Sequence, residues 1–307
     1  MIGSRRIRAN RALRAEADAA LGRFLNLVRD ELRRYDPAGR ASAELRRYLG
    51  PQLAAGGELS PLGVAGYSAR LRPVIETILA GPPGLRILDA GSGYGTESLL
   101  FAWLGADVTA VELVRERHDI ARGRPETFRR PGDPPLRIDF VHANILRFLQ
   151  SSPAFDLIWT MEAISHIYPP ERFLDLARGR LAPGGLLAVS DPNQANPVAW
   201  ARAVLLRGSI RHVPHRKFTD PESGISVEYG QEQIHSVRGM TRLLLRSGYT
   251  VERCVVSGFL ASTLLPRKWR NRRVPVALSL AFQKSAGRTP LIRRLGANYT
   301  ILARSSA

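Results

Sequence analysis

The stretch Leu85-Arg-Ile-Leu-Asp-Ala-Gly-Ser-Gly-Tyr-Gly95 decides how this chain is read. A short apolar run ends in Asp89, and glycines then alternate at 91, 93 and 95. Thr96 and Glu97 open an apolar segment that Gly105 stops. The pattern predicts strand, tight turn and helix. Glycines serve such a turn because the backbone takes φ > 0 there and lets a ligand come close. The helix behind it offers free N–H groups and partial positive charge. The next strand, Asp107-Val-Thr-Ala-Val111, ends in Glu112, 17 residues beyond Gly95. An acid at that distance, on the tip of a second strand, is placed to accept from both hydroxyls of a ribose.

Working outward, strands alternate with helices to residue 190. The third strand is expected at Leu136–His142, the fourth at Phe155–Thr160, and the fifth at Leu186–Ser190 after a Leu181-Ala-Pro-Gly-Gly185 turn. Helices are expected over Val114–Arg122 and Pro170–Arg180, with a proline-rich loop from Pro125 to Pro135. Further on, Val237–Ser247 reads as helix, and Tyr249–Val256 and Tyr299–Ala303 as closing strands. Such alternation gives an α/β, doubly wound, mostly parallel sheet. Its ligands sit beyond the carboxyl ends of the strands. Upstream, apolar residues at helical spacing from Leu13 to Tyr35 predict an amphipathic helix, with a second at Ser42–Leu49 and a third at Tyr67–Leu79. Residues 52–66 read as a connector. The N-terminal helices are expected to cap the ligand cleft, the alternative being that they lie on a membrane.

The chain has 307 residues and a net charge of +18. Residues 86–190 balance to −1, residues 1–85 carry +6 and residues 191–307 carry +13. The excess basicity therefore flanks the glycine-turn segment, concentrated in Arg207–Lys217 and Arg267–Arg273. An anionic small molecule, a membrane surface and nucleic acid are the partners such flanks fit; solvated surface from an arginine-rich composition is the plain alternative. The single cysteine, Cys254, rules out a disulfide framework and a cysteine zinc site. With neither a long apolar run nor a secretory leader, a cytoplasmic protein is expected.

These residues resemble the class I S-adenosylmethionine-dependent methyltransferases, in particular the small-molecule branch. The resemblance covers residues 85–190 closely and the closing elements loosely. It implies a Rossmann-like fold with a seven-stranded sheet, a helical extension over residues 1–80, and a methyltransferase domain over 81–307 with acceptor-binding insertions near 194–235 and 258–295. It implies S-adenosylmethionine as cofactor. Asp89, Gly91, Ser92, Gly93 and Gly95 would hold its methionine part, Glu112 its ribose, and Ala143-Asn144-Ile145 its adenine, with Leu113 a further cofactor contact. Asn144 stands where the family more often has Asp. Tyr67 and Met161 complete the expected cofactor contacts. The Gly-x-Gly-x-Gly spacing differs from the dinucleotide Gly-x-Gly-x-x-Gly, which argues against a dehydrogenase.

A sulfonium methyl is electrophilic, so such an enzyme aligns a nucleophile and excludes water, with a base where the nucleophile carries a proton. Glu162 and His166, four apart beyond the fourth strand, are the candidate bases; on a helix they would share a face. No metal is expected, Thr160 standing where a third ligand beside Asp191 and Asn193 would be needed. The favoured function is methylation, on oxygen or carbon, of a small, partly apolar metabolite or lipid. An RNA methyltransferase and a non-catalytic cofactor-binding scaffold are the alternatives. The fourth strand lacks the Asp/Asn-Pro-Pro-aromatic motif used on base amines, so nucleic acid is the less favoured partner.

Overall fold

The computed structural model describes residues 2–50, 52, 59–198, 201, 216–219, 226–229, 234–259, 273–287, 289 and 292–306. The order begins α1 (Ile2–Arg34), α2 (Arg40–Tyr48), α3 (Pro61–Ala80). It continues β1 (Arg86–Ala90), α4 (Thr96–Trp103), β2 (Asp107–Glu112), α5 (Arg115–Phe128), β3 (Ile138–His142), α6 (Ile145–Ser151) and β4 (Phe155–Met161). A 3-10 turn (Ile164–His166) precedes α7 (Pro170–Arg178) and β5 (Leu181–Pro192). A small antiparallel pair follows, β6 (Arg216–Thr219) with β7 (Ser226–Tyr229). The chain closes with α8 (Val237–Arg246), β8 (Tyr249–Ser257), α9 (Arg273–Ala286) and β9 (Asn298–Ser305).

The main sheet has seven strands in the order β3-β2-β1-β4-β5-β9-β8. The pairings from β3 to β5 are parallel, and β9 runs antiparallel to both β5 and β8. This is the doubly wound, Rossmann-like arrangement that the alternation of strands and helices predicts. Strand order reverses between β1 and β4, so the ligand crevice falls where Ala90, just after Asp89, and Met161 end their strands.

Two apolar layers cover the sheet. One holds Leu149, Phe173, Leu174, Met240 and Leu244 against the inner residues of β4, β5 and β9. The other joins Leu71, Leu99, Leu100 and Phe101 to Leu21, Phe24, Leu25 and Val28 of α1. The Phe24 ring lies 6.1 Å from Trp103 and 5.5 Å from Phe128, centroid to centroid. Burial of a side chain of this size contributes about 1.5–3 kcal/mol, so the α1 stripe is spent on the protein's own core.

Three expectations give way. The connector ends early, since α3 starts at Pro61, where Ser60 caps Gly63 N–H at 3.4 Å and proline takes the first turn. Pro125 lies inside α5 and not in a loop; carrying the helix on to Phe128 buries both Arg124 and Phe128. The Leu181–Gly185 turn is the irregular start of β5 itself, with the register shifting between Phe155 and Leu157 and Gly184 at φ +77°.

Candidate functional site

The glycine turn needs the conformations its sequence foreshadows: Gly91, Gly93 and Gly95 have φ of +79°, +56° and +71°. Gly91 is also sterically fixed, because an added Cβ would meet the Ala163 Cβ at 2.5 Å. The Gly91 and Ser92 N–H groups both donate to Val111 O, at 2.9 and 3.0 Å, which ties the turn to β2. Glu112 completes the tie. Its Oε2 accepts from Gly93 N–H at 2.8 Å and its Oε1 from Val114 N–H at 2.8 Å. Each oxygen keeps a lone pair for a further donor.

Beneath the turn, Asp89 is 2% exposed and its Oδ2 accepts from Ser98 Oγ at 2.6 Å. Burial, then the charges of Glu97 and Glu112, push its carboxyl up to about 8. Burial likewise raises Glu97, which accepts from the Tyr67 hydroxyl. Tyr67 is thus buried against Glu97. Ser92 Oγ is buried with no hydrogen-bond partner among the described residues. A turn closed to side chains, a waiting buried hydroxyl and a carboxyl crowded by negative charge fit a cationic, hydrogen-bonding cofactor.

A cavity of about 190 Å³ opens beside the turn. Gly91, Glu112 and Leu113 form one wall, Ala143, Asn144 and Ile145 a second, and Glu162, His166 and Tyr168 a third. Tyr67, Asp89, Ser92, Gly93, Gly95 and Met161 lie outside this lining. Asn144 caps α6, its Oδ1 accepting from Leu146 N–H at 2.9 Å. That leaves its amide N–H groups and a second lone pair uncommitted by this bond.

Glu162 and His166 do reach one cavity, but not through a helical face. Glu162 takes φ +53°, rare for a residue with a side chain, and the chain then tightens into the 3-10 turn. Glu162 N–H donates to Ser190 O at 2.8 Å and its carboxylate pairs with Arg70. Arg70 is 8% exposed and also donates from Nε to Ser190 Oγ at 3.0 Å. Thr300 Oγ1 bonds Arg70 O at 3.0 Å, so β9 and α3 brace the same point. Asp191 is fully buried nearby; desolvation raises its carboxyl to about 7 against the pull of Arg70. Asn193 is spent elsewhere, its Nδ2 donating to the Arg294 and Gly296 carbonyls at 2.8 Å each. Sequence reading passed over Arg70, Glu97 and Ser190, whose significance lies in partners 30 to 120 positions away. The basic stretches 207–215 and 267–272 fall outside the described residues.

The methyltransferase-domain family profile matches residues 64–253, more than half of the chain. The chain belongs to this family. The matched segment is a methyltransferase domain. The match begins inside α3, upstream of the glycine turn. The ubiquinone biosynthesis O-methyltransferase of Roseobacter denitrificans is 30% identical over 150 residues, 48% of this chain and 58% of that protein. That of Ruegeria pomeroyi is 33% identical over 122 residues, 40% of this chain and 46% of that protein. The chain thus spans about half the length of the curated relatives it matches. Among solved structures, an Archaeoglobus fulgidus protein described as a SAM-dependent methyltransferase aligns at TM-score 0.48 and 16% identity, over 76% of this chain and 91% of that one.

Because Glu112 bonds both the turn and the start of the next loop, Glu112→Ala should damage the cradle. Loss of two charge-assisted hydrogen bonds, at about 1.5–3 kcal/mol each, predicts at least ~100-fold weaker S-adenosylmethionine binding by calorimetry. Near-wild-type affinity would show that the carboxylate does not organise the turn.

Proposed function

We propose that the chain methylates a hydroxyl oxygen of a small, partly apolar acceptor of the kind met in ubiquinone biosynthesis. The observation that carries this reading is the meeting of Gly91, Glu112, Asn144 and His166 on one cavity. The O-methyltransferase relatives support oxygen as the methylated atom. The cofactor, when bound, supplies an electrophilic methyl carbon on a cationic sulfur. Asp89 and the glycine turn would hold its methionine part, Glu112 its ribose, and Ala143, Asn144 and Ile145 its adenine, with Leu113 beside them on the cavity wall. His166, on the cavity wall, would take the proton of the acceptor hydroxyl, to which the bound cofactor would supply the methyl group. Ile167 and Tyr168, on the same wall, exclude water and hold the apolar part of the acceptor. Glu162, locked to Arg70, fixes the loop that carries His166. The helical extension over residues 1–80 serves as the cap, and the insertions near 194–235 and 258–295 serve the acceptor.

Methyl-transfer assays with hydroxylated ubiquinone precursors and with bulk RNA test this directly. Label in the small phenols and none in RNA is the expected result. Labelled RNA with unlabelled phenols would replace this reading with the nucleic-acid one, and binding of cofactor with no transfer to either would make the chain a scaffold.

The pH dependence of cofactor binding follows from Asp89. Below about pH 8 the free protein holds this carboxyl protonated, whereas a bound ammonium and sulfonium favour the ionised form. Binding then releases a proton, and affinity falls ~tenfold for each pH unit below 8. In the cofactor-free chain the same group binds its proton more tightly folded than unfolded. Its contribution to stability is therefore full below about pH 4 and is lost as pH rises through about 8. Calorimetry in two buffers of different ionisation heat reads the proton release; a buffer-independent binding heat would exclude Asp89 from the cation's site.

A further inference from the structure

A larger cavity, about 570 Å³, lies away from the glycine turn, at the β8 edge of the sheet. Arg238 and Arg242 of α8 and Arg293 and Arg294 before β9 line it over an aliphatic floor of Val237 and Val256. None of these four arginines forms an ion pair with a described residue. The turn bearing two of them is held rigidly from behind. Asn193 Nδ2 bonds Arg294 O and Gly296 O, Asn196 Nδ2 bonds Leu295 O at 2.7 Å, and Asn193 N–H bonds Ala297 O at 2.8 Å. Both asparagines are nearly fully buried, at 1% and 2% exposed.

The apolar surface around this cavity is equally unusual. Seven large hydrophobic residues are exposed among the described ones, and six of them, all but Tyr168, fall on α8, α9 and the 292–295 turn. Leu245 follows Arg238 and Arg242 along one stripe of α8. On α9, Val276, Ser279 and Ala286 are buried, while Leu278 and Phe282, one turn apart, stand 66% and 43% exposed. A helix apolar on both faces is ordinarily buried or set against lipid. Ile292 and Leu295 bracket the two arginines of the turn. Gly287, just past α9, lines the arginine cavity and so joins the two features.

We propose that this face, α8, the 292–295 turn and the outward side of α9, docks the enzyme on an anionic phospholipid surface. The four arginines take headgroup phosphates, for which the guanidinium fork is suited, and Leu278, Phe282, Ile292 and Leu295 enter the boundary between headgroups and acyl chains. Charge complementarity selects this occupant: among the described residues every charged one lining the cavity is an arginine, and residues 191–307 carry +13. Nucleic acid is disfavoured because the residues interleaved with these arginines are aliphatic, whereas single-strand binders interleave aromatic platforms. Asn193 follows directly on β5, so the docked face adjoins the strand end that carries Asp191. The inference does not depend on the acceptor's identity.

Co-sedimentation of the full chain with phosphatidylcholine vesicles and with an equimolar phosphatidylcholine–phosphatidylglycerol mixture tests it. Binding to the mixture and not to phosphatidylcholine alone is expected. Each arginine near an anionic surface is worth ~fivefold in affinity, so Arg293→Ala with Arg294→Ala should weaken it ~25-fold. Leu278→Ser with Phe282→Ser, exposed positions whose change spares the core, should lower binding at least ~tenfold with cofactor affinity unchanged as the folding control. Absence of wild-type binding to the mixture, vesicle binding indifferent to the Leu278 and Phe282 changes, or RNA binding lost in the arginine variant without vesicle binding would each overturn the proposal.

Discussion

Glu31→Ala is expected to destabilise the fold by about 3–5 kcal/mol, the loss seen when one partner of a buried ion pair is removed. Glu31 and Arg124 are both 0% exposed, and the pair is bidentate, with Nε to Oε1 and Nη2 to Oε2 each at 2.8 Å. The third guanidinium nitrogen, Nη1, donates to Tyr94 O and Thr96 Oγ1, both at 2.7 Å. One arginine therefore links α1 to the glycine turn. Deleting the carboxylate strands a buried cation on two neutral oxygens, and a melting-temperature drop on the order of 10 °C should follow. The paired change Glu31→Leu with Arg124→Met should recover most of it, since a well-packed apolar pair replaces buried charges at little cost. Urea melts of the two single variants and the double give the coupling directly. A cofactor titration on Glu31→Ala adds a second readout, because Arg124 also steadies Tyr94 and Thr96. A melting temperature within a few degrees of wild type would mean that α1 is not fastened to the turn.

That pair also shows where sequence reading stops. The glycine turn was legible because three alternating glycines after an apolar run have few other uses, and the structure gives all three positive φ. Glu112 was legible because its spacing from Gly95 fixes it to the tip of β2. By contrast, Glu31 and Arg124 look like ordinary charges on amphipathic helices; only the packing of α1 on α5 turns them inward. Arg70 is similar, an unremarkable basic residue until α3 lies across β5 and β9. The start of α3 was hidden by the glycines at 63 and 66, although Ser60-Pro61 carries a genuine start signal. Pro125 misled because a local rule against helical proline was outweighed by two buried side chains near the helix end. Local backbone demands and fixed spacings are thus written in the chain, whereas pairings across 90 residues and more are not.

His166→Ala is expected to lower kcat by ~10²–10⁴-fold, the usual contribution of a positioned proton acceptor, with cofactor affinity preserved. His166 ends the 3-10 turn, its N–H donating to Ala163 O at 2.9 Å, and its side chain is half-buried on the cavity wall. Glu162 is the competing base. Its carboxylate is engaged in an ion pair with Arg70, a guanidinium only 8% exposed, whereas His166 stands on the cavity wall. Glu162→Gln should therefore cost stability first, through the Arg70 network, and chemistry second. Single-turnover rates at saturating cofactor separate the two residues, and added imidazole should partly restore His166→Ala while leaving Glu162→Gln unchanged. If Glu162→Gln folds with wild-type stability yet loses turnover, and His166→Ala keeps it, the proton goes to the carboxylate and Arg70 serves to tune it.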